Sequence, residues 1–370
     1  MSNGLVIYLS LYSIVIGGMI MIGFFLQLKK EKQYYNSDTI NLKDLVVLIP
    51  FRNEENRIGG LLKSIQKLSH FPHRFVFIND HSEDDGVKNI TNALTGIDYE
   101  ILTLPEGVSG KKMALRYAMN NLNTNYVLTI DADVYFHTDF FYELGKLSEA
   151  EMYLRPAIMK AESAMEYLYE IDLALVNAAN VGLAGWKRPI MASGANLFYN
   201  RQVFNTVDSI EEHVAVASGD DMYLLKDFRE NRRDVRLVSD PKQAVFTETP
   251  QSFKEFIDQR LRWLGKTGDL KDHLSTSLAL IQSALTLAFF TLILYFAING
   301  YWNELLLLFL LKTGIDMLVF FPYMNRIHRL KTWLFIPIYE LLFPLYTMII
   351  LALVYTYKPS WKGRKIKHSQ

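Results

Sequence analysis

Two acidic pairs stand where chemistry could happen. The first lies in YVLTIDADVYF, where an apolar β-type run (Tyr126, Val127, Leu128, Ile130) stops at Asp131 and Asp133, one small residue apart. Two carboxylates that close cannot share a small site without a counter-charge, because both would be desolvated and would repel. A divalent cation meets that need. Mg2+ and Mn2+ are hard, oxygen-seeking ions that take one or two carboxylates together with phosphate oxygens. Asp-x-Asp alone is also what a solvated turn after a strand looks like. The second pair, Asp220-Asp221 in ASGDDMYLL, lies between a glycine and an apolar helical start. Asp220 reads there as a helix N-cap, and a carboxylate at a helix start facing a cleft can serve as general base on a hydroxyl.

Two further stretches could handle a diphosphate. In QRLRW, Gln259 and Arg262 are three apart and share a helical face. Arg262 could grip a diphosphate with two parallel hydrogen bonds, and Trp263 could stack on a sugar or pack at a membrane boundary. In SGKKMAL, Lys111 and Lys112 open a helix, an anion site without the spacing of a P-loop. The eight histidines form no metal-ligand pattern, and the chain has no cysteine, which excludes disulfides and thiolate metal sites. Its formal net charge is zero. That gives no support to a nucleic-acid partner, which needs a basic face.

The elements that must carry these groups alternate. LVVLIP (Leu45 to Pro50), RFVFIND (Arg74 to Asp80), YEILTLP (Tyr99 to Pro105) and YVLTIDAD read as strands, with helical spacing in ENRIGGLLKSIQKLS and KKMALRYAMNNL between them. Such alternation predicts a mostly parallel sheet covered by helices on both faces. Ligands then bind outside the carboxyl ends of the strands. Arg52, Asn53 and Glu54, then Asp80, then Asp131 and Asp133 all follow strand ends. Tyr153 to Trp186, rich in Ala, Met and Tyr, reads as helical and as part of an acceptor site.

Both ends of the chain are apolar. Leu5 to Leu26 carries no charge and is followed by Lys29, Lys30, Glu31 and Lys32. It is long enough to span a bilayer and lacks the basic start, short core and cleavage site of a signal peptide. The lysines behind it place the next domain in the cytoplasm. Leu278 to Ile298, Leu305 to Tyr323 and Trp333 to Tyr357 are further apolar stretches. The second contains Lys312 and Asp316, four apart and able to pair within the membrane. The third contains Pro337, Glu340 and Pro344 and could be kinked or re-entrant. Three full crossings would put the basic tail KPSWKGRKIKHSQ outside, against the positive-inside rule. The expected organisation is an anchor over 1–28, a cytoplasmic catalytic domain over 42–250, an interfacial amphipathic helix over 251–274, transmembrane segments over 275–357 and a basic tail over 358–370. The localisation that follows is a multi-pass cell-membrane protein.

IPFRNEE, INDHSED, SGKKMAL, IDADVYF, ASGANLFYN, SGDDMYL and QRLRW occur in that order between Ile49 and Trp263. Together they resemble the membrane-bound family 2 glycosyltransferases, a group with the GT-A fold that includes cellulose, hyaluronan and chitin synthases and enzymes that glycosylate lipids, such as ceramide glucosyltransferases. The resemblance covers most of residues 42–270 and the flanking apolar segments. It implies an α/β GT-A domain in which Pro50, Asn53, Glu54 and Asp80 line the nucleotide pocket and Lys111 helps hold the nucleotide. Asp131 would lie by the nucleotide sugar and Asp133 would bind Mg2+ or Mn2+. Gly194, Ala195 and Asn196 would sit near the acceptor or donor sugar. Asp221 would be the catalytic base, and Gln259, Arg262 and Trp263 would cradle the diphosphate and acceptor. One departure is INDHSED, where many relatives carry two acids and this chain has Asn79 before Asp80.

The resemblance implies inverting transfer from a UDP-sugar to a membrane lipid or glycan acceptor. A processive polysaccharide synthase is the main alternative, and sugar transfer to polyprenyl phosphate another. Four apolar segments are few for a polymer channel. A non-catalytic scaffold is opposed by the presence of every expected acid.

Overall fold

The computed structural model describes residues 3–35, 39–208, 219–270, 272–357, 360–361 and 364–365. They group into two compact units, one made of Met1–Lys29, Ala161–Ile190 and Thr249–Pro359, the other of Lys30–Lys160, Met191–Glu248 and Ser360–Gln370.

The second unit is the α/β unit. Its strands are β1 (Leu45–Phe51), β2 (Arg74–Asn79), β3 (Tyr99–Thr103), β4 (Tyr126–Ile130), β5 (Val134–Tyr135), β6 (Met152–Leu154), β7 (Ala157–Lys160), β8 (Asn196–Asn200), β9 (Val235–Leu237) and β10 (Val245–Glu248). The main sheet runs β3-β2-β1-β4-β8-β6-β9, and a small one runs β5-β10-β7. β3, β2, β1 and β4 are parallel. β1 and β4 are buried almost throughout, as a sheet covered on both faces requires. The chain leaves β1 toward β2 and β3 on one side and returns to β4 on the other, so the direction of winding switches between β1 and β4. That switch point is where an open α/β sheet binds its ligand. β8 enters antiparallel, with Asn196 opposite Ile130. The residues just before β8 therefore share an edge with those just after β4. Phe75, Phe77, Phe140, Phe141, Tyr153 and Phe198 are fully buried in this core, each contributing about 1.5–3 kcal/mol by leaving water. The expected continuous helix over Tyr153 to Trp186 does not form. Tyr153 lies in β6 and Ala157–Lys160 in β7, with the helix starting only at Ala164. Ser163 accepts from the N–H of Glu166, whose carboxylate accepts from Glu162 N and Ser163 Oγ, a reciprocal cap that sets the start.

Among the described residues, four helices are long and apolar enough to cross a membrane: Asn3–Tyr35, whose first part up to Lys29 lies in the first unit, and His273–Ile298, Trp302–Arg326 and Ile336–Leu353, which lie wholly in it. The first is π-helical over Ser13–Ile22. Lys312 pairs with Asp316 at 2.8 Å, as the four-residue spacing predicts, and also with Glu340. Tyr12 Oη donates to Asp316 Oδ1 at 2.5 Å. Charges that would be costly alone among apolar helices are thus paired. The stretch expected over Trp333 to Tyr357 is one helix from Ile336 to Thr356 that runs through Pro344, and a short helix Leu330–Trp333 precedes it. Pro337 stands in the first turn of the longer helix, where its missing N–H costs nothing. Helix Ala164–Gly185 also belongs to this unit, as does the amphipathic helix Phe253–Asp269. The latter ends before Asp272, whose carboxylate caps His273–Ile298 as a separate helix.

Candidate functional site

The expected nucleotide loops are laced together. Asp80 N donates to Phe51 O at 3.0 Å, and Arg52 Nη1 donates to the carbonyls of Asp80 at 2.7 Å and His81 at 2.9 Å. Asn53 has φ 49°, a left-handed conformation that asparagine tolerates. Its Oδ1 accepts from Glu83 N at 2.9 Å and its N–H donates to Ser82 Oγ at 3.1 Å. Glu54 is 8 % exposed, and its carbonyl accepts from Arg57 N and Ile58 N. Pro50 pairs in register with Ile78. The Asn79 amide that replaces an acid accepts from Ser82 N at 2.8 Å and so folds the loop locally.

From Asp80 a chain of contacts runs across the strand ends. Asp80 Oδ2 accepts from Gly110 N at 3.0 Å. Gly110 has φ 99°, which favours glycine, and it opens helix Lys111–Asn120. Lys111 Nζ pairs with Asp131 Oδ1 at 2.5 Å. Gly194 lies under the same ammonium: a Cβ there would stand 2.9 Å from Lys111 Nζ, 3.5 Å from Asp220 Oδ2 and 3.6 Å from Asp221 Cβ. Gly194 N donates to Asp221 Oδ2 at 3.0 Å, and Asp221 Oδ1 accepts from Met222 N at 2.9 Å. Burial alone would push the Lys111 ammonium down. The carboxylates of Asp131, Asp220 and Asp221 outweigh that and hold it above its ordinary value. Carboxylates from the end of β4 and from the start of helix Asp220–Glu230 thus converge on one cation.

Asp220 is not the N-cap expected of it. Gly219 occupies that position in a left-handed conformation, leaving Asp220 as the first helical residue with its carboxylate beside Lys111. Asp133 pairs with Arg57, a partner in the loop after β1 that no spacing in the sequence signals. Ala195 is buried and Asn196 fully so; the Asn196 amide donates to Pro156 O at 2.8 Å and Gln243 O at 2.9 Å. It fixes the bend before β8.

Gln259, Arg262 and Trp263 belong to the other unit, on helix Phe253–Asp269. That helix buries Phe256, Ile257 and Leu261 with Tyr169 and Ile350. Gln259 Oε1 is buried without a hydrogen-bond partner among the described residues. Arg260, within the same motif but not singled out by its spacing, is buried, pairs with Asp172 and lies 4.1 Å over the Trp263 ring.

Among the described residues no group of three His, Asp or Glu could hold a metal. What the α/β unit offers is Asp131 and Asp133, oxygen donors at one strand end. That donor set fits Mg2+ or Mn2+, which complete their shells with substrate phosphate oxygens rather than protein cages.

Comparison with known proteins bears on the fold and the family. The chain is similar to the glycosyltransferase GlyA of Streptococcus pneumoniae, 28% identical over 102 residues, or 28% of this chain and 14% of the relative. It is also similar to the 4,4'-diaponeurosporenoate glycosyltransferase of Staphylococcus aureus, 33% identical over 97 residues, or 26% of this chain and 25% of the relative. The chain thus spans a quarter or less of the length of each. Among solved structures, the mannosyltransferase PcManGT of Pyrobaculum calidifontis, in complex with GDP-Man and Mn2+, aligns at TM-score 0.53 and 14% identity, over 92% of this chain and 99% of that one. It shares the GT-A fold with the chain described here. The glycosyl transferase family 2 model matches residues 46–170. Because the glycosyl transferase family group 2 model matches residues 126–357, more than half of the 370, this chain belongs to that family.

Proposed function

We propose that the protein transfers a sugar, with inversion, from a UDP-sugar to a lipid acceptor in the membrane, with Asp221 as general base. One observation carries this reading: carboxylates from two separate elements face a single ammonium at the sheet's switch point, with the Asp221 carboxylate aimed by two backbone N–H groups. Oxygens aimed in this way are pre-organised for one task. Asp80 and the Asn53 loop would take the nucleoside, and Lys111 would take diphosphate oxygens. The acceptor oxygen would attack C1 of the sugar while its proton passes to Asp221. The C1–O bond to the diphosphate breaks and UDP departs. A divalent cation held by Asp133, with Asp131 beside it, would supply further positive charge at that diphosphate. The Mn2+ and GDP-Man bound by PcManGT support a diphosphate donor and a divalent metal. The four apolar helices support an acceptor drawn from the bilayer. They also support a multi-pass placement with the catalytic unit on the cytoplasmic side, the side the lysines after the first helix favour.

The test is product analysis. Full-length protein in lipid nanodiscs is given UDP-sugars, with GDP-Man as competitor, and Mn2+. A discrete glycolipid is expected by mass spectrometry. A long polymer would move the protein to polysaccharide synthesis, and no UDP release with any donor would end the reading.

A further inference from the structure

Helix Ala164–Gly185 carries two buried acids two residues apart, Glu170 and Asp172. Residues at that spacing point about 200° apart around a helix, to nearly opposite sides. On one side Glu170 accepts from Arg329 and, at 2.8 Å, from Thr332 Oγ1, with Ala161 N at 2.9 Å. On the other side Asp172 pairs with Arg260 and accepts from Tyr339 Oη at 2.5 Å. Arg260 also donates to Tyr169 O at 3.4 Å. Its guanidinium lies 4.8 Å over the Phe256 ring and 4.1 Å over the Trp263 ring, within reach of cation–π attraction to both. Arg260 and Trp263 are three apart on one helix, so the stack is built into the helical repeat. A planar guanidinium held by a buried carboxylate has little freedom, and a ring stacked on it shares that restriction.

The geometry points to Asp172 and Arg260 as positioning residues for Trp263: the ion pair fixes the indole against which an acceptor stacks. This rests on the transfer reading above for the ring's use, and on the contacts alone for its placement. A pair that served only to hold the helices together would be interchangeable with the Glu170–Arg329 pair. A positioning pair is not.

The experiment uses full-length protein labelled with fluorotryptophan in nanodiscs, with the fluorine resonance of Trp263 assigned by Trp263→Phe among the five tryptophans. Asp172→Asn and Arg260→Lys are each expected to shift or broaden that resonance, Asp172→Glu to restore it, and Glu170→Gln to leave it in place. Affinity for UDP with Mn2+ should stay unchanged, while kcat/KM in the nanodisc assay falls by roughly ten- to a hundredfold. The double variant Asp172→Asn/Arg260→Met leaves no buried charge unpaired and repeats the resonance test in a chain that folds. A Trp263 signal unmoved in Asp172→Asn and in the double variant overturns the inference, as does one moved equally by Glu170→Gln. If the wild type makes no product, the transfer reading fails and the fluorine result still decides the placement.

Discussion

Gly194→Ala separates folding from function at this site more sharply than any removal of a charge. The added methyl would stand 2.9 Å from Lys111 Nζ, 3.5 Å from Asp220 Oδ2 and 3.6 Å from Asp221 Cβ. The last two are ordinary contacts. The first is not, and it is relieved when Lys111 swings away from Asp131, because an ammonium on a four-carbon stem is the easiest of the three to displace. The fold should therefore lose little, about 1 kcal/mol, the low end for a methyl forced into a packed site. That corresponds to a Tm drop of roughly 2–4 °C. Activity should lose far more. The ammonium would leave the place between the carboxylates. A misplacement of that kind costs about a hundredfold in turnover. The assay is UDP release by purified protein in nanodiscs, run beside thermal unfolding of the same preparation. Near-wild-type turnover in a folded Gly194→Ala protein would refute the packing argument. A large loss of Tm together with activity would refute its claim that only the site is affected.

Other changes test other links. Asp221→Asn should abolish turnover, by at least about a hundredfold for loss of a general base, while calorimetry gives an unchanged affinity for UDP. Lys312→Met strands Asp316 and Glu340 inside the apolar bundle and should cost about 3–5 kcal/mol, read as a fall in Tm in detergent; the double variant Lys312→Met/Glu340→Gln should recover part of it. Gly182→Ala would put a methyl 2.7 Å from Ile20 O, a backbone atom that cannot swing aside, and should destabilise by about 1–3 kcal/mol. Lys111 has its pKa raised in the folded protein, so its contribution is complete below the unfolded value near 10.5 and fades only as pH rises beyond it. Donor affinity should accordingly show no alkaline limb from Lys111 below about pH 10; a limb near pH 9 that Lys111→Arg removes would contradict the charge cluster.

The sequence made the strand ends legible because local chemistry marks them: an apolar run, then an abrupt carboxylate. Asp80 and Asp131 needed only the rule that parallel strands present their carboxyl ends to one edge, and Lys111 was legible as a lysine opening a helix. Asp221 was legible as an acid at a helix start, whereas the cap beside it was misassigned because a left-handed glycine does the same task without a side chain. What the sequence hid depends on pairing across long separations. Arg57 finds Asp133 across 76 positions, Tyr12 finds Asp316 across 304, and Arg260 is one basic residue in a helix full of charges until Asp172 stands against it. The grouping of helix Ala164–Gly185 with the apolar helices was equally hidden. Its buried face is rich in Ala and Gly, so close approach to the first helix replaces the bulky apolar stripe that marks a core helix.

Calorimetric titration of the full-length protein with UDP, with and without Mn2+, tests most directly whether these acids assemble a metal–diphosphate site. The wild type should bind UDP only with the metal present, Asp133→Asn should lose that dependence together with most of the affinity, and Asp221→Asn should keep both. UDP binding indifferent to a chelator, or unaltered in Asp133→Asn, would contradict the account.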